Sequence, residues 1–378
     1  MPSPCHLLLV TNTLARGGAE AMLVRLATAL DPTRVRPVVI CFREPGVWAE
    51  PLLERKIPVH QGLLRHKYDA FVIRRLSRLV RQYPHACLMA VGSGGDRMFW
   101  STLAARVTGV PMIVWSHLFP VPGEPEFEWI NRRLYPWVHA VVALGRRHAD
   151  ALVDAAEARR GRVRVIRNGI DVDAFDHAKL RDAAREQLGL QPHETAVGMV
   201  ANLRPIKRVG LFLDAAAHVL TARPQTRFFV IGDGPQRDEL QARIDGSPSL
   251  RATIHFLGAR EDVPTLMQAF DIVCLTSLRE CLSVAMLEAM AAGKAFVAPR
   301  VGSLDEALID GQTGRFFEPE TADALAGVLI ELIDDPAQRT RLGNAARAKV
   351  RSEFRLERMA REFEDLVTEL CATTVRCD

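Results

Sequence analysis

The chain has 378 residues, of which 48% are hydrophobic and 25% are charged, and its formal net charge is +4. This composition is typical of globular proteins, and no apolar run approaches the roughly 18 residues that a membrane-spanning helix needs. The chain is longer than a domain built on one hydrophobic core usually is, so two domains are predicted.

The pattern of cysteines and the first residues of the chain indicate the cellular compartment of the protein. Neither a zinc site nor a disulfide framework is indicated, because no cysteines form a CxxC pair. The first residues carry no basic leader, and their apolar stretch is short for a signal peptide. We therefore expect a reducing, cytoplasmic location. The cysteines are Cys5, Cys41, Cys87, Cys274, Cys281, Cys371 and Cys377.

The first half of the chain alternates short apolar runs with helical patterns. Such alternation predicts a parallel sheet covered by helices on both faces. Strands are predicted at 6–10, 35–41, 57–60, 87–91, 112–115, 140–143 and 163–167. Helices are predicted through residue 30 and at 48–55, 71–81, 99–107, 129–134 and 146–158.

A second alternation follows a break in the apolar pattern at 168–193, where we place the linker. Its strands are predicted at 196–200, 227–231, 253–257, 272–275, 296–298 and 314–317. The predicted fold class is therefore α/β, with two doubly wound Rossmann-like domains, at 1–170 and 171–355, facing across a cleft. In such sheets ligands bind outside the carboxyl ends of the strands.

The charge is unevenly distributed between the two halves. Residues 1–170 hold 24 Lys and Arg against 13 Asp and Glu, whereas the remainder holds 25 against 32. One interpretation is solvated helix faces, and the other is attraction of the basic half to anionic lipid headgroups or a phosphorylated acceptor. Nucleic acid is not expected, because aromatic residues make up only 6% and do not alternate with basic ones.

The most informative stretch runs from 276 to 301. An apolar run ends in a polar turn, and a helix is predicted to begin near Leu282 and to end at Gly293. Glu280 precedes this helix, and Glu288 lies about 10–12 Å further along at ~1.5 Å per residue. Two carboxylates at that separation suit the hydroxyls of one long ligand, and the free amides at the helix N-terminus suit a phosphate.

Two other segments point to an anionic ligand. Gly17 and Gly18 lie between the first strand and a helix, where they permit close backbone approach to a phosphate or simply form a tight turn. Arg204, Lys207 and Arg208 follow a later strand. They suit the charge of a departing diphosphate, and the alternative is surface charge on a loop.

Three further side chains are candidates for chemistry. His117 follows a strand, where its imidazole could donate to a sugar hydroxyl or assist proton movement, or could be structural. Asp171 and Asp173 resemble a metal-binding pair, but their place in the linker indicates turn and cap chemistry. No metal site is predicted.

An ordered set of motifs carries a family resemblance. GGAE at 17–20, SH at 116–117, RNGID at 167–171, the Lys207 segment, GDGP at 232–235 and EAMAAGKAFVA at 288–298 occur in this order. The set resembles the retaining glycosyltransferases of the GT-B fold, specifically family 4. It spans essentially the whole chain and is more specific in the C-terminal half.

The resemblance implies how the donor is held by the second domain. Lys207 and a nearby arginine would neutralise the donor diphosphate. Glu280 and the amides of Leu282, Ser283 and Val284 would hold the donor sugar and phosphate.

The resemblance also implies roles elsewhere. Glu288 would bind the ribose hydroxyls, and His117 would lie beside the transferred sugar. Gly17 and Gly18 would close over the phosphates, and the helix at 356–378 would pack back on the first domain.

This sequence departs from the family pattern at three places. Asn202 stands where the family has an arginine, so Arg204 or Arg208 would replace it. Cys281 stands where a glycine usually follows the first glutamate, which narrows the sugar pocket. Lys294 replaces a small residue before the next strand and has no assigned role.

The expected function is that of a retaining, metal-independent enzyme. It would transfer a sugar from a nucleotide-sugar co-substrate, with UDP as the family-level expectation, to a glycan or lipid-linked acceptor in cell-surface polysaccharide or glycoconjugate synthesis. We expect a cytoplasmic protein, peripheral on the membrane. The alternatives are a sugar-nucleotide epimerase on the same fold and a non-catalytic nucleotide-sugar binder.

Overall fold

The computed structural model describes two compact α/β units. One consists of Met1–Gly169 with Leu356–Asp378, and the other is Ile170–Arg355. The described residues are 3–15, 17–66, 69–92, 94–120, 133–155, 158–175, 177–318 and 320–374. Most of the helix predicted at 129–134 lies outside them.

The first unit is built on a seven-stranded parallel sheet. Its strands are β1 (Cys5–Thr11), β2 (Val35–Cys41), β3 (Val59–His60), β4 (Ala86–Val91), β5 (Met112–Trp115), β6 (Ala140–Ala143) and β7 (Val163–Val165). They lie in the order β3-β2-β1-β4-β5-β6-β7. Its helices are Gly18–Ala29, Glu50–Glu54, Val72–Val80, Gly95–Thr108, Arg146–Asp154 and Leu356–Thr374.

Burial explains why the central strands read as apolar runs rather than as alternating ones. In β1, the four residues from Leu7 to Val10 are completely buried, as are Leu88 and Met89 of β4. A parallel sheet covered on both faces buries both faces of each strand, so every position favours an apolar side chain.

The C-terminal helix Leu356–Thr374 packs against β1, β4 and the helix Gly18–Ala29. Its Glu364 is buried and accepts hydrogen bonds from the Asp31 amide, at 2.8 Å, and the Arg34 guanidinium, at 2.7 Å. A buried carboxylate that is paired and hydrogen-bonded in this way fixes the helix on the unit, because removing either partner would leave an uncompensated charge.

The second unit is built on a six-stranded parallel sheet. Its strands are β8 (Thr195–Val200), β9 (Thr226–Ile231), β10 (Ile254–Gly258), β11 (Ile272–Cys274), β12 (Ala295–Ala298) and β13 (Arg315–Phe316). They lie in the order β10-β9-β8-β11-β12-β13. Its helices are Arg181–Gln187, Val209–Ala222, Arg237–Asp245, Pro248–Thr253, Val263–Ala269, Val284–Ala291, Ala322–Asp334 and Pro336–Glu353.

The two parallel sheets with their covering helices confirm the predicted fold class. Among the described residues, the differences from the sequence prediction lie at the ends of elements. The helix predicted at 99–107 begins earlier, at Gly95, and the one predicted at 146–158 ends at Asp154. The helix expected near Leu282 begins at Val284, because Ser283 adopts an extended conformation and caps it.

Cations cap helix ends at the amino edge of the second sheet. Buried Lys294 donates to the Gln268 carbonyl at 2.8 Å, and Arg181 donates to the same oxygen at 3.1 Å. Gln268 lies at the end of Val263–Ala269, where a helix carries partial negative charge. Burial, together with the neighbouring Arg181, lowers the pKa of Lys294 to about 7. Lys294, to which the sequence assigned no role, therefore caps the C-terminal end of the helix Val263–Ala269.

Candidate active site

An ion pair lies at the carboxyl edge of the second sheet. Lys207 ends the short turn Pro205–Lys207 after β8, and Glu280 lies in the loop after the neighbouring strand β11. The Lys207 Nζ atom is 2.5 Å from the Glu280 Oε1 atom, and the Ser277 hydroxyl donates to the same oxygen at 2.8 Å. The Lys207 side chain is 27% exposed and that of Glu280 is 12% exposed, so both are reachable by a ligand.

Hydrogen bonds between the two loops fix this pair. The buried Thr276 hydroxyl donates to the Lys207 carbonyl at 2.8 Å and to the Arg208 carbonyl at 3.0 Å. The Leu278 amide donates to the Ile206 carbonyl at 2.8 Å. Because β8 and β11 are adjacent, residues far apart in sequence are held at one point.

The helix Val284–Ala291 begins beside Glu280. Ser283 caps it, its hydroxyl accepting from the Met286 amide at 3.3 Å. Glu288 lies on the second turn and is only 7% exposed. The first amides of a helix have no partner within the helix and carry partial positive charge, which suits an anion.

Gly302 holds the backbone of the Glu280 loop in place. It has a φ of +54°, and a Cβ there would collide with the Glu280 carbonyl oxygen. The next residue, Ser303, donates its amide to the Cys281 carbonyl at 3.0 Å. The glycine therefore allows the 302–303 turn to approach the loop closely.

Cys281 is packed inside the unit. It is 5% exposed, and burial, with the neighbouring Glu280 carboxylate, raises the pKa of its thiol well above the usual value. A thiol that stays protonated is a poor nucleophile, so Cys281 is a packing residue of this loop.

Asn202, at the family's arginine position, packs against the GDGP turn. Its Oδ1 atom is buried and has no hydrogen-bond partner among the described residues. A Cβ at Gly234 would lie 2.7 Å from that atom, and the Leu203 amide donates to the Asp233 carbonyl at 3.0 Å. An inward-facing amide carbonyl suits a hydrogen-bond donor and does not supply the missing positive charge.

The two arginines that could replace that charge differ in their surroundings. Arg208 binds Glu320 twice, through the side-chain Oε2 atom at 2.6 Å and the carbonyl at 2.8 Å. Arg204 is exposed and makes no side-chain hydrogen bond or ion pair within the described part of the chain. Of the two guanidinium groups, that of Arg204 is the one available to a ligand.

In the first unit, the glycine motif begins a helix. Gly17 is extended, with a φ of −163°, and precedes the helix Gly18–Ala29. A Cβ at Gly18 would meet no atom within 4 Å, so there is open space beside it. Arg16 lies outside the described residues.

His117 follows β5 in the first unit. Its ring lies 4.5 Å from that of Trp115, and its Nε2 atom is buried without a hydrogen-bond partner among the described residues. Burial, together with the neighbouring His148 and Arg97, lowers the pKa of His117 to about 3. The imidazole is therefore neutral near pH 7, which suits a hydrogen bond rather than proton donation by an imidazolium.

His148 holds the turn that carries His117, a role the sequence prediction missed. Its Nδ1 atom accepts from the Leu144 amide at 3.1 Å, and its Nε2 atom lies 3.1 Å from the Leu118 carbonyl and 3.2 Å from the Ser116 hydroxyl. Burial lowers its pKa to about 4. Its position four residues after Leu144, in an ordinary helix pattern, gives no sign of this role in the sequence.

The aspartate pair of the linker forms a turn. The Asp171 carboxylate accepts from the amides of Asp173, at 3.1 Å, and Ala174, at 3.2 Å, and Asp173 pairs with Arg355. In the described ranges, no group of three or more His, Cys, Asp or Glu side chains is placed to hold a metal ion.

The structure thus brings Lys207, Glu280 and the start of the helix Val284–Ala291 together in one unit. Gly17, Gly18 and His117 all belong to the other unit. Ser277, which the sequence interpretation did not single out, joins the first group by donating to Glu280.

Comparisons with known proteins give a consistent identity. Residues 16–174 match the family model described as Glycosyltransferase Family 4, and residues 181–349 match the one described as Glycosyl transferases group 1. The α-D-kanosaminyltransferase of Streptomyces kanamyceticus is 26% identical over 79% of this chain and 81% of its own. The D-inositol 3-phosphate glycosyltransferase of Streptomyces avermitilis is 31% identical over 54% of this chain and 47% of its own.

Solved structures agree on the fold. Anabaena HepE in complex with UDP superposes with a TM-score of 0.83 at 24% identity, over 97% of this chain and 100% of that one. The same protein in complex with UDP-glucose gives 0.81 at 25% identity, over 99% and 100%. The chain therefore belongs to the glycosyltransferases of family 4, with the GT-B fold.

Proposed function

We propose that the chain is a retaining glycosyltransferase that moves a sugar from a UDP-sugar to a glycan or lipid-linked acceptor of the cell surface. The observation that carries this proposal is the meeting of Lys207, Glu280 and the N-terminus of the helix Val284–Ala291 at one edge of a parallel sheet. An ammonium and the amides at a helix N-terminus suit a diphosphate, and a carboxylate suits the hydroxyls of a sugar. The HepE complex with UDP-glucose supports UDP as the nucleotide.

In this proposal, stabilisation of the leaving group drives the reaction. As the bond from the sugar C1 atom to the diphosphate breaks, charge grows on the phosphate oxygen. Lys207, Arg204 and the helix amides would stabilise that charge without a metal ion. The acceptor hydroxyl would attack C1 on the face that the diphosphate leaves, pass its proton to the diphosphate oxygen and so retain the configuration.

The remaining site residues would position the donor. Glu288 would accept hydrogen bonds from the ribose hydroxyls, and Asn202 would accept one from the donor through its inward oxygen. Gly17 and Gly18 would admit the phosphates close to the backbone. Neutral His117 would bind a hydroxyl of the transferred sugar.

Membrane association is proposed through the basic face of the helix Val72–Val80. Arg74, Arg78 and Arg81 are exposed there, and Phe71, just before the helix, is 69% exposed. Cations beside an exposed aromatic ring suit the surface of an anionic bilayer. Across the described ranges, no helix is long and apolar enough to cross a membrane.

The test is nucleotide release from a panel of sugar nucleotides, with and without acceptor. We expect UDP release that acceptor accelerates, an α-linked product from an α-linked donor, and no loss of rate with a metal chelator. An epimerase would instead interconvert the free sugar nucleotide, and a non-catalytic binder would show a higher melting temperature without UDP release.

A further inference from the structure

The ion pair of Lys207 with Glu280 joins two groups that would bind different parts of one donor. The Nζ and Oε1 atoms are 2.5 Å apart, and the Ser277 hydroxyl donates to that oxygen at 2.8 Å. A ligand phosphate that binds the Lys207 ammonium must therefore displace the Glu280 carboxylate from it.

The fate of Glu280 then depends on what else the ligand carries. The carboxylate is 12% exposed, so it has little water to replace a lost ammonium. If a nucleoside diphosphate bound Lys207, the Glu280 carboxylate would keep only its hydrogen bond from the completely buried Ser277 hydroxyl. The diphosphate would also place further negative charge beside that carboxylate. Removing one partner of a largely buried ion pair is costly, because the other charge is left uncompensated.

An intact sugar nucleotide offers both replacements together. Its phosphates would bind the Lys207 ammonium, and its sugar hydroxyls would donate hydrogen bonds to the Glu280 carboxylate. The penalty that the diphosphate alone would incur is then offset by hydrogen bonds to a charged acceptor, which are stronger than neutral ones.

We infer that Glu280 competes with the diphosphate for Lys207, so that the site discriminates in favour of an intact sugar nucleotide and against the nucleoside diphosphate left after transfer. This inference rests on the proposed function and adds a means of product release. Once the sugar has left, Glu280 re-pairs with Lys207 and weakens the hold on the diphosphate.

The test is a calorimetric titration of UDP and UDP-glucose against the full chain and its variants. In Glu280→Gln the competing charge is gone, and we expect about tenfold tighter binding of UDP. Binding of UDP-glucose should not tighten, because its sugar loses a charged acceptor. The matched control is Glu318→Gln, which removes an exposed carboxylate paired with Arg300 at 2.9 Å and should change neither affinity.

The outcomes separate the inference from the proposed function. Unchanged or weaker UDP binding by Glu280→Gln, or equal tightening for both ligands, overturns the inference. If the wild-type chain binds neither UDP nor UDP-glucose, the proposed donor class is wrong. Should Glu280→Gln fail to fold, Glu280→Asp keeps the charge but shortens its reach to Lys207. Its affinity for UDP should still exceed that of the wild-type chain, and an equal or lower affinity overturns the inference.

Discussion

The carboxyl edges of the two sheets present different chemistry. In the second unit, the edge carries an ion pair and the N-terminus of the helix Val284–Ala291, with exposed Arg204 nearby in sequence. In the first unit, half-buried His117 and buried His148 both have a pKa lowered to about 4 or below, so they are neutral at pH 7. One edge is thus suited to bind a charged leaving group, and the other to orient uncharged hydroxyls.

The largest expected effect comes from removing the charge at the second edge. We expect Lys207→Ala to lower the transfer rate by about a hundredfold or more, because stabilisation of the leaving group is lost. The rate of UDP release at saturating donor measures this. Lys179→Ala, which removes a lysine from the linker of the same unit, is the control. A rate within a factor of about two of the wild-type value would refute the role of Lys207.

A second test concerns charge at the opposite edge of the same sheet. The pKa of Lys294 is about 7 in the folded chain, below its ordinary value of 10.5. Between these values the unfolded chain binds more protons, so the free energy of unfolding should rise with pH. The rise from pH 7 to pH 9 should be about 2–3 kcal/mol.

Urea unfolding of the wild-type chain and of Lys294→Met at both pH values measures this rise. Lys294→Met should lack it, because the methionine cannot titrate. The variant Lys349→Met, which breaks a half-buried pair with Glu353, is the control and should keep the wild-type slope. An identical slope in Lys294→Met would show that Lys294 is not the group responsible.

A third test separates the two arginines of the second edge. We expect Arg204→Ala to lower the transfer rate about tenfold, since one cation of the leaving-group site is lost. Arg208→Ala should instead act on stability, by about 1 kcal/mol, because a partly exposed pair with Glu320 is broken. Steady-state rates and thermal unfolding of both variants measure this. The reverse pattern would assign the diphosphate to Arg208.

The smallest expected effect lies in the first unit, at the residue that positions His117. His148→Asn keeps an oxygen for the Leu144 amide but does not reach the Leu118 carbonyl, whereas His148→Gln can donate to that carbonyl. We expect His148→Asn to lower kcat about threefold to tenfold with KM for the donor unchanged, and His148→Gln to recover part of the loss.

NMR titration of the His117 ring gives a readout independent of turnover. In His148→Asn the looser turn admits water, so the pKa of His117 should rise from about 3 towards its ordinary value. A pKa that stays near 3 together with an unchanged kcat would show that His148 only supports the fold.

Much of the fold could be predicted from sequence because its signals are local. Central strands such as β1 and β4 are buried on both faces and therefore read as apolar runs, and Gly17 and Ser283 mark helix starts. The ends of helices were less predictable. The helix Gly95–Thr108 begins at a glycine with a φ of +65°, a position that the apolar pattern alone does not mark.

The candidate site could be predicted only where its residues occur in recognisable motifs. Glu280, Glu288 and Lys207 are predicted site residues of this kind. Ser277 was missed, because its importance comes from a hydrogen bond across the loop to Glu280. The choice between Arg204 and Arg208 likewise depends on Glu320, more than a hundred residues away in the chain, and sequence spacing carries no sign of such a contact.

We propose that the second unit binds the diphosphate of a sugar nucleotide. The most direct test of this proposal is the amide spectrum of the ¹⁵N-labelled chain titrated with UDP-glucose. We expect the largest shifts on the amides of Leu282, Ser283 and Val284 and on the segment of Lys207. Shifts confined to the first unit, or an unchanged spectrum at saturating ligand, would contradict it.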